Sequence, residues 1–209
     1  MDTAFLITAF VTLFVIIDPI GLTPLFVALT QGIDAPRRRI IALRACITAA
    51  LILILFAALG EAVLGFVGIS MPAFRIAGGI LLFLTALDML FERRSKRRKS
   101  QADEAEDEDE GEDPSIFPLA IPLIAGPGSI ASVILLAGQQ PGMEGLLWVI
   151  GVMLAVLLIV LVLFLSSGLL ERALGKTGIN VITRLLGMLL AALAVQFVLD
   201  GLRGFGLAG

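Results

Sequence analysis

The sequence predicts an all-α membrane protein: six transmembrane helices arranged as two inverted three-helix repeats, with spans 1 and 4 discontinuous. Three observations lead there. Apolar residues make up 58 % of the 209-residue chain and the mean hydropathy is +1.04, more apolar surface than one soluble core of this length can hide. Charge is segregated: fifteen of the thirty-three charged residues lie between Arg93 and Asp113, whereas Ser115–Met143 carries none over 29 residues and Gly145–Leu170 none over 26. A helical span needs about 20 apolar residues. Finally, Pro-Gly interruptions recur at corresponding places in the two halves.

Six spans follow, at roughly 4–30, 40–64, 72–91, 116–138, 145–170 and 180–202. The first begins at Ala4 without a basic segment before it, and so reads as a retained span rather than a cleaved signal. Between spans 1 and 2 lie Arg37, Arg38 and Arg39, with Arg44 close behind. Between spans 3 and 4 lie Arg93, Arg94, Lys96, Arg97, Arg98 and Lys99, and between spans 5 and 6 Arg172 and Lys176. The two remaining loops offer only Glu61 and Glu144. Basic loops stay on the cytoplasmic side, so the expected protein sits in the inner (cytoplasmic) membrane with both termini outside. The net charge of −3 hides this asymmetry.

The chain divides into a first three-helix repeat (1–91), a charged cytoplasmic linker (92–115) and a second repeat (116–209). In the linker, six basic residues are followed by nine acidic ones from Asp103 to Asp113. Such runs read as solvated chain; a sharper reading has the basic half touching anionic lipid while the acidic half competes for it.

Three correspondences carry the repeat. Ile17-Asp18-Pro19-Ile20-Gly21 in span 1 matches Ile124-Ala125-Gly126-Pro127-Gly128 in span 4. Gly68-Ile69-Ser70 matches Gly178-Ile179-Asn180, and Arg75-Ile76-Ala77-Gly78 matches Arg184-Leu185-Leu186-Gly187. Since each half has an odd number of spans, the second enters the membrane from the opposite side, the arrangement found in many secondary transporters.

The interruptions are the candidate site. Pro19 and Pro127 lack an N–H and clash with the carbonyl four residues back, which would leave the carbonyls of Val15 and Leu123 without helical partners. Gly21, Gly126 and Gly128 ease unwinding. Unpaired backbone groups persist at membrane depth only inside protein or beside a polar cavity, and paired broken spans point to a midplane binding site. The second half-helices would start near Ile20 and Ser129, offering N–H groups to a carboxylate. Asp18 is the one carboxylate far from any span end. Burying its charge costs at least about 2.5 kcal/mol. It reads both as a cap for the second half-helix and as a partner for a substrate ammonium, a proton or a sodium ion. Arg75 and Arg184, each about one turn beyond a possible cap (Ser70 or Asn180), are candidate gates, with interfacial snorkelling as the plainer role. Asp88, Glu61 and Asp200 are expected at the interface.

Other classes find less support. With no histidine and one cysteine, Cys46, in an apolar run, a zinc site, a disulfide framework and histidine catalysis are excluded. No nucleophile and base converge, so an enzyme is not expected, and neither is a cofactor or a nucleic-acid partner. A metal-cation carrier would want several deep carboxylates or thiolates, and only Asp18 is deep.

The segments LFVIIDPIGLTPLFVALT, AIPLIAGPGSIASVIL and GINVITRLLGMLLAALAVQFVLDGL together resemble the MarC family of integral membrane proteins, and the resemblance spans nearly the whole chain apart from the linker. Some members are described as neutral amino-acid transporters, and the family is similar to the wider lysine-exporter superfamily, which includes amino-acid exporters and metal-ion carriers. The resemblance marks Asp18, Pro19, Gly21, Gly126, Pro127 and Gly128 as the matching positions. It implies a secondary transporter of small neutral amino acids such as glycine or alanine, coupled to protons or sodium, with a metal-cation carrier as the alternative.

Overall fold

A computed structural model describes residues 2–94, 97–98, 100 and 113–206, without the side chains of 169–172 and 176. The acidic run from 103 to 112, Lys96 and Lys99 lie outside the described residues, as do the side chains of Arg172 and Lys176. The described residues form helices joined by short turns: α1 (Thr3–Ile17), α2 (Pro19–Leu29), α3 (Ala35–Val67), α4 (Met71–Leu90), α5 (Ser115–Ile124), α6 (Pro127–Ala137), α7 (Met143–Leu165) and α8 (Ser167–Gly204). Both expected interruptions are present. Asp18 separates α1 from α2, and Ala125-Gly126 separates α5 from α6.

Five stretches are long and apolar enough to cross a membrane: Thr3–Leu29, Ala35–Val67, Met71–Leu90, Met143–Leu165 and Thr177–Gly204. The pair α5–α6 qualifies as a sixth when taken together, although it bends by 56° at its break. The bend raises the question of whether the pair crosses or turns back, and its contacts with α3 answer it. Just before α5, Asp113 accepts a hydrogen bond from Arg44 at 2.7 Å. Further on, Ile134 lies where a Cβ on Gly60 would sit. The carbonyl of Gly138 accepts from Arg75, near the start of α4, at 3.2 Å. From Arg44 to Gly60 is about 24 Å along a helix, so the pair follows α3 over about half its length and reaches the end from which α4 starts.

The irregularity of α5 follows from its prolines. Pro118 and Pro122 remove two helical donors, and Phe117 and Ile121, each just before a proline, adopt extended angles. Asp113 anchors its start. Burial pushes that carboxyl up, but hydrogen bonds from Ser115 and Arg44 outweigh it and hold it below the usual carboxylate range.

Packing is of the kind lipid allows. The largest interface joins α4 to α8 and is built on glycine. A Cβ on Gly79 would stand 2.8 Å from the Ala194 carbonyl oxygen, and one on Gly201 2.8 Å from that of Pro72. Small residues let backbones approach where no hydrophobic drive separates helix from lipid. Elsewhere α3 packs on α5, α6 and α7, while α7 packs on α1 and α2. Phe26 and Phe164, both fully buried, stack at 4.3 Å between α2 and α7. Leu51, Leu55, Val63, Leu158 and Leu185 remain exposed, which suits a lipid-facing surface.

Some local expectations are corrected. Asn180 lies within α8, not at a cap, because α8 starts at Ser167 and bends at Gly175, whose φ is 60°. Asn180 donates instead to Glu92 at 3.4 Å. Ser70 does cap α4, accepting from Ala73 N at 3.4 Å.

A polar cavity between two broken helices

Asp18 adopts a left-handed conformation, with φ 59° and ψ 63°, and serves as the last cap of α1 and the first of α2. Its amide donates back to the Phe14 carbonyl at 2.9 Å, while its Oδ1 accepts from the Gly21 amide at 3.1 Å. The carboxylate folds so tightly over α2 that any Cβ on Gly21 would overlap it, which explains glycine there. Asp18 is buried, at 1 % exposure.

What faces it was not expected. Arg98, also buried, donates through one guanidinium nitrogen to Asp18 Oδ2 at 3.1 Å and through the other to the Ile17 carbonyl at 3.2 Å. Arg94 donates to the Ile16 carbonyl and contacts Met89 Sδ at 3.0 Å. Two arginines of the basic segment after α4, Arg94 and Arg98, are therefore buried against the protein, whereas Arg93 and Arg97 are exposed. A turn at Glu92, whose φ is 58°, sends the segment back against the end of α1. The physical reason is the membrane-depth carboxylate itself, since a buried charge needs an opposite one. That requirement was the available signal: six bases stand next to the end of span 3.

Beside these arginines is a cavity of about 410 Å³ lined by Ile16, Leu81, Leu84, Thr85, Asp88, Arg94, Arg97, Arg98, Pro122, Leu123, Gly126, Pro127, Gly128 and Ser129. The two breaks meet at its wall, where a Cβ on Gly128 would lie 2.8 Å from Ile16 Cδ1. They are not equivalent. The N-terminus of α2 is already capped by Asp18, while α6 begins at Gly126-Pro127 with no side-chain cap. Ser129 turns its hydroxyl back to the Ile124 carbonyl at 2.8 Å. Of the candidate residues, Gly126, Pro127, Gly128 and Ser129 line the cavity. Asp18, Pro19, Ile20 and Gly21 do not; Arg98 stands between Asp18 and the space. Asp88, expected at the interface, lines it too and pairs with Arg97 at 3.0 Å. Among the described residues, no three His, Cys, Asp or Glu side chains converge on a metal position.

Arg75 and Arg184 lie away from this cavity, at opposite ends of the α4–α8 pair. Arg184 donates to Glu92 at 2.6 Å. Among the described residues Arg75 forms no ion pair. It bonds the Gly138 carbonyl and lines a second cavity, of about 400 Å³, with Gln139, Gln140, Asp200 and Arg203.

The sequence matches the family described as MarC family integral membrane protein over residues 3–205. This chain belongs to the MarC family. Similar proteins include UPF0056 membrane proteins of Methanocaldococcus jannaschii (38 % identical, covering 98 % of each chain) and of Aquifex aeolicus (38 %, covering 94 % of this chain and 92 % of the relative). Another is YvbG of Bacillus subtilis, 37 % identical over 98 % of this chain and 97 % of its own. No solved structure matches. The protein is thus an integral, multi-pass membrane protein.

Proposed function

We propose that this MarC-family protein is a secondary transporter of small neutral amino acids, of the size of glycine or alanine, driven by a proton or sodium gradient. The observation that carries the reading is the cavity between two broken helices, with both signs of charge at its wall. A zwitterion fits it chemically. Its carboxylate has the uncapped N-terminus of α6 and Arg97; its ammonium has Asp88 at the wall or, once Arg98 gives way, Asp18 and the carbonyls at the end of α1. The alternative, a metal-cation carrier, draws no ligand cluster from the described residues.

Alternating access is supported by the pattern of packing. α3 lies on α5–α6 as α7 lies on α1–α2, and α6 meets α4 as α2 meets α8, pairings that a twofold between the repeats would relate, although α1 also packs on α6 and α8 without a matching contact of that extent from α5. The two ends differ: Arg184 is clamped to Glu92, whereas Arg75, its repeat counterpart, opens on a cavity near Asp200.

Purified protein in liposomes should take up labelled glycine or alanine when a proton or sodium gradient is imposed. Folded protein that moves no neutral amino acid under either gradient would remove this reading, and gradient-driven uptake of a divalent cation instead would establish the alternative.

The proposed orientation places both termini outside and the 92–115 linker in the cytoplasm. After Cys46 is replaced by serine, a cysteine at Ser100 should resist impermeant maleimide in intact cells, whereas one at Phe205 should react. Labelling of position 100 from outside would reverse the topology.

A further inference from the structure

We propose that the basic segment after α4 is a tethered ligand of the substrate site, and that Arg98 holds the place of the substrate's ammonium. The inference rests on the transporter reading and adds to it a means of control. The acceptors at the end of α1 are a carboxylate oxygen of Asp18 and the carbonyl oxygens of Ile17 and Ile16. All three are taken by guanidinium groups of one segment. A guanidinium offers only N–H donors and a positive charge, and so does a primary ammonium. Acceptors that satisfy the first can satisfy the second.

Two further features bear on its release. The segment joins the fold at a two-residue turn after α4, Phe91-Glu92, so its withdrawal need not move a span, though it breaks the Arg97–Asp88 pair and pivots beside the Glu92–Arg184 pair. Opposite charge is also close by in the sequence: eight acidic residues follow between 103 and 112, a second set of partners for the arginines. A static counter-charge to Asp18 would need neither. Substrate therefore binds the fraction of molecules from which the segment has withdrawn, and its apparent affinity is reduced by that fraction.

The test uses full-length protein in nanodiscs. Amide hydrogen exchange at Arg94, Arg97 and Arg98 is measured with and without saturating alanine. Exchange there should quicken, while the amides of 14–22 stay protected because alanine replaces the arginines. In transport, Arg98→Gln should lower the half-saturating alanine concentration by about tenfold or more, and Arg98→Lys should restore the wild-type value. Unchanged or slower exchange at the three arginines with alanine bound would overturn the proposal, as would an Arg98→Gln protein that transports with wild-type half-saturation. If labelled alanine binds neither protein, the substrate assignment fails by itself. Methylguanidinium then serves as the displacing probe: faster exchange at the arginines sustains a tethered ligand, and no change overturns it.

Discussion

Leucine in place of Gly79 is expected to unseat α4 from α8 and to destabilise the bundle strongly. The Cβ alone would stand 2.7 Å from Val198 Cγ2, 2.8 Å from the Ala194 carbonyl oxygen and 3.0 Å from the Val198 amide nitrogen. Two of these are backbone atoms of a helix, which cannot step aside as a side-chain tip can. Overpacking costs about 1–3 kcal/mol where side chains can adjust, and here the helix must shift instead, so the upper end or beyond applies. Gly65, by contrast, has nothing within 4 Å of its would-be Cβ, and Gly65→Leu should be tolerated. The measurement is thermal unfolding in detergent of both variants beside wild type. Equal melting temperatures for all three would show that the α4–α8 contact does not hold the bundle.

That contrast shows what the sequence could and could not reveal. Hydropathy and charge segregation expose spans because lipid imposes one rule on every residue of a span. The two breaks were legible for a similar reason: proline acts locally, through its missing N–H, whatever packs around it. Which glycines matter is different. Gly65 and Gly79 sit in equally apolar stretches, and only the neighbour's backbone distinguishes them. The boundaries moved for local reasons too. α8 extends back to Ser167 because its bend is absorbed by Gly175 in a positive-φ conformation, where a loop had been expected around Arg172 and Lys176.

The site was half legible. Gly126, Pro127, Gly128 and Ser129 could be placed from the motif alone, and they do line the cavity. Arg94, Arg97 and Arg98 could not, because a run of six bases in seven residues also satisfies the rule for a solvated cytoplasmic loop. Composition treats the run as uniform, but the fold does not: Arg94 and Arg98 are each 6 % exposed, while the Arg97 side chain is 61 % exposed and pairs with Asp88. Asp88 was assigned to the interface by its position near a span end, and that position is silent about which side of the helix it occupies.

The second large effect is on substrate affinity at Asp18. Asparagine keeps the shape of the side chain and an oxygen for the Gly21 amide but removes the charge. In wild-type protein the outcome would be blurred, since Asp18→Asn weakens the hold on Arg98 and on an incoming ammonium together. The informative comparison is made in the Arg98→Gln background, where no tethered guanidinium competes at that carboxylate. There, adding Asp18→Asn should reduce alanine affinity by about ten- to a hundredfold, the worth of one charge-assisted contact at roughly 1.5–3 kcal/mol. Binding and uptake are measured on equal amounts of folded protein. If Asp18 only caps α2, the double variant will match Arg98→Gln in both assays. That result would move the ammonium to Asp88, which already lines the cavity beside the open end of α6.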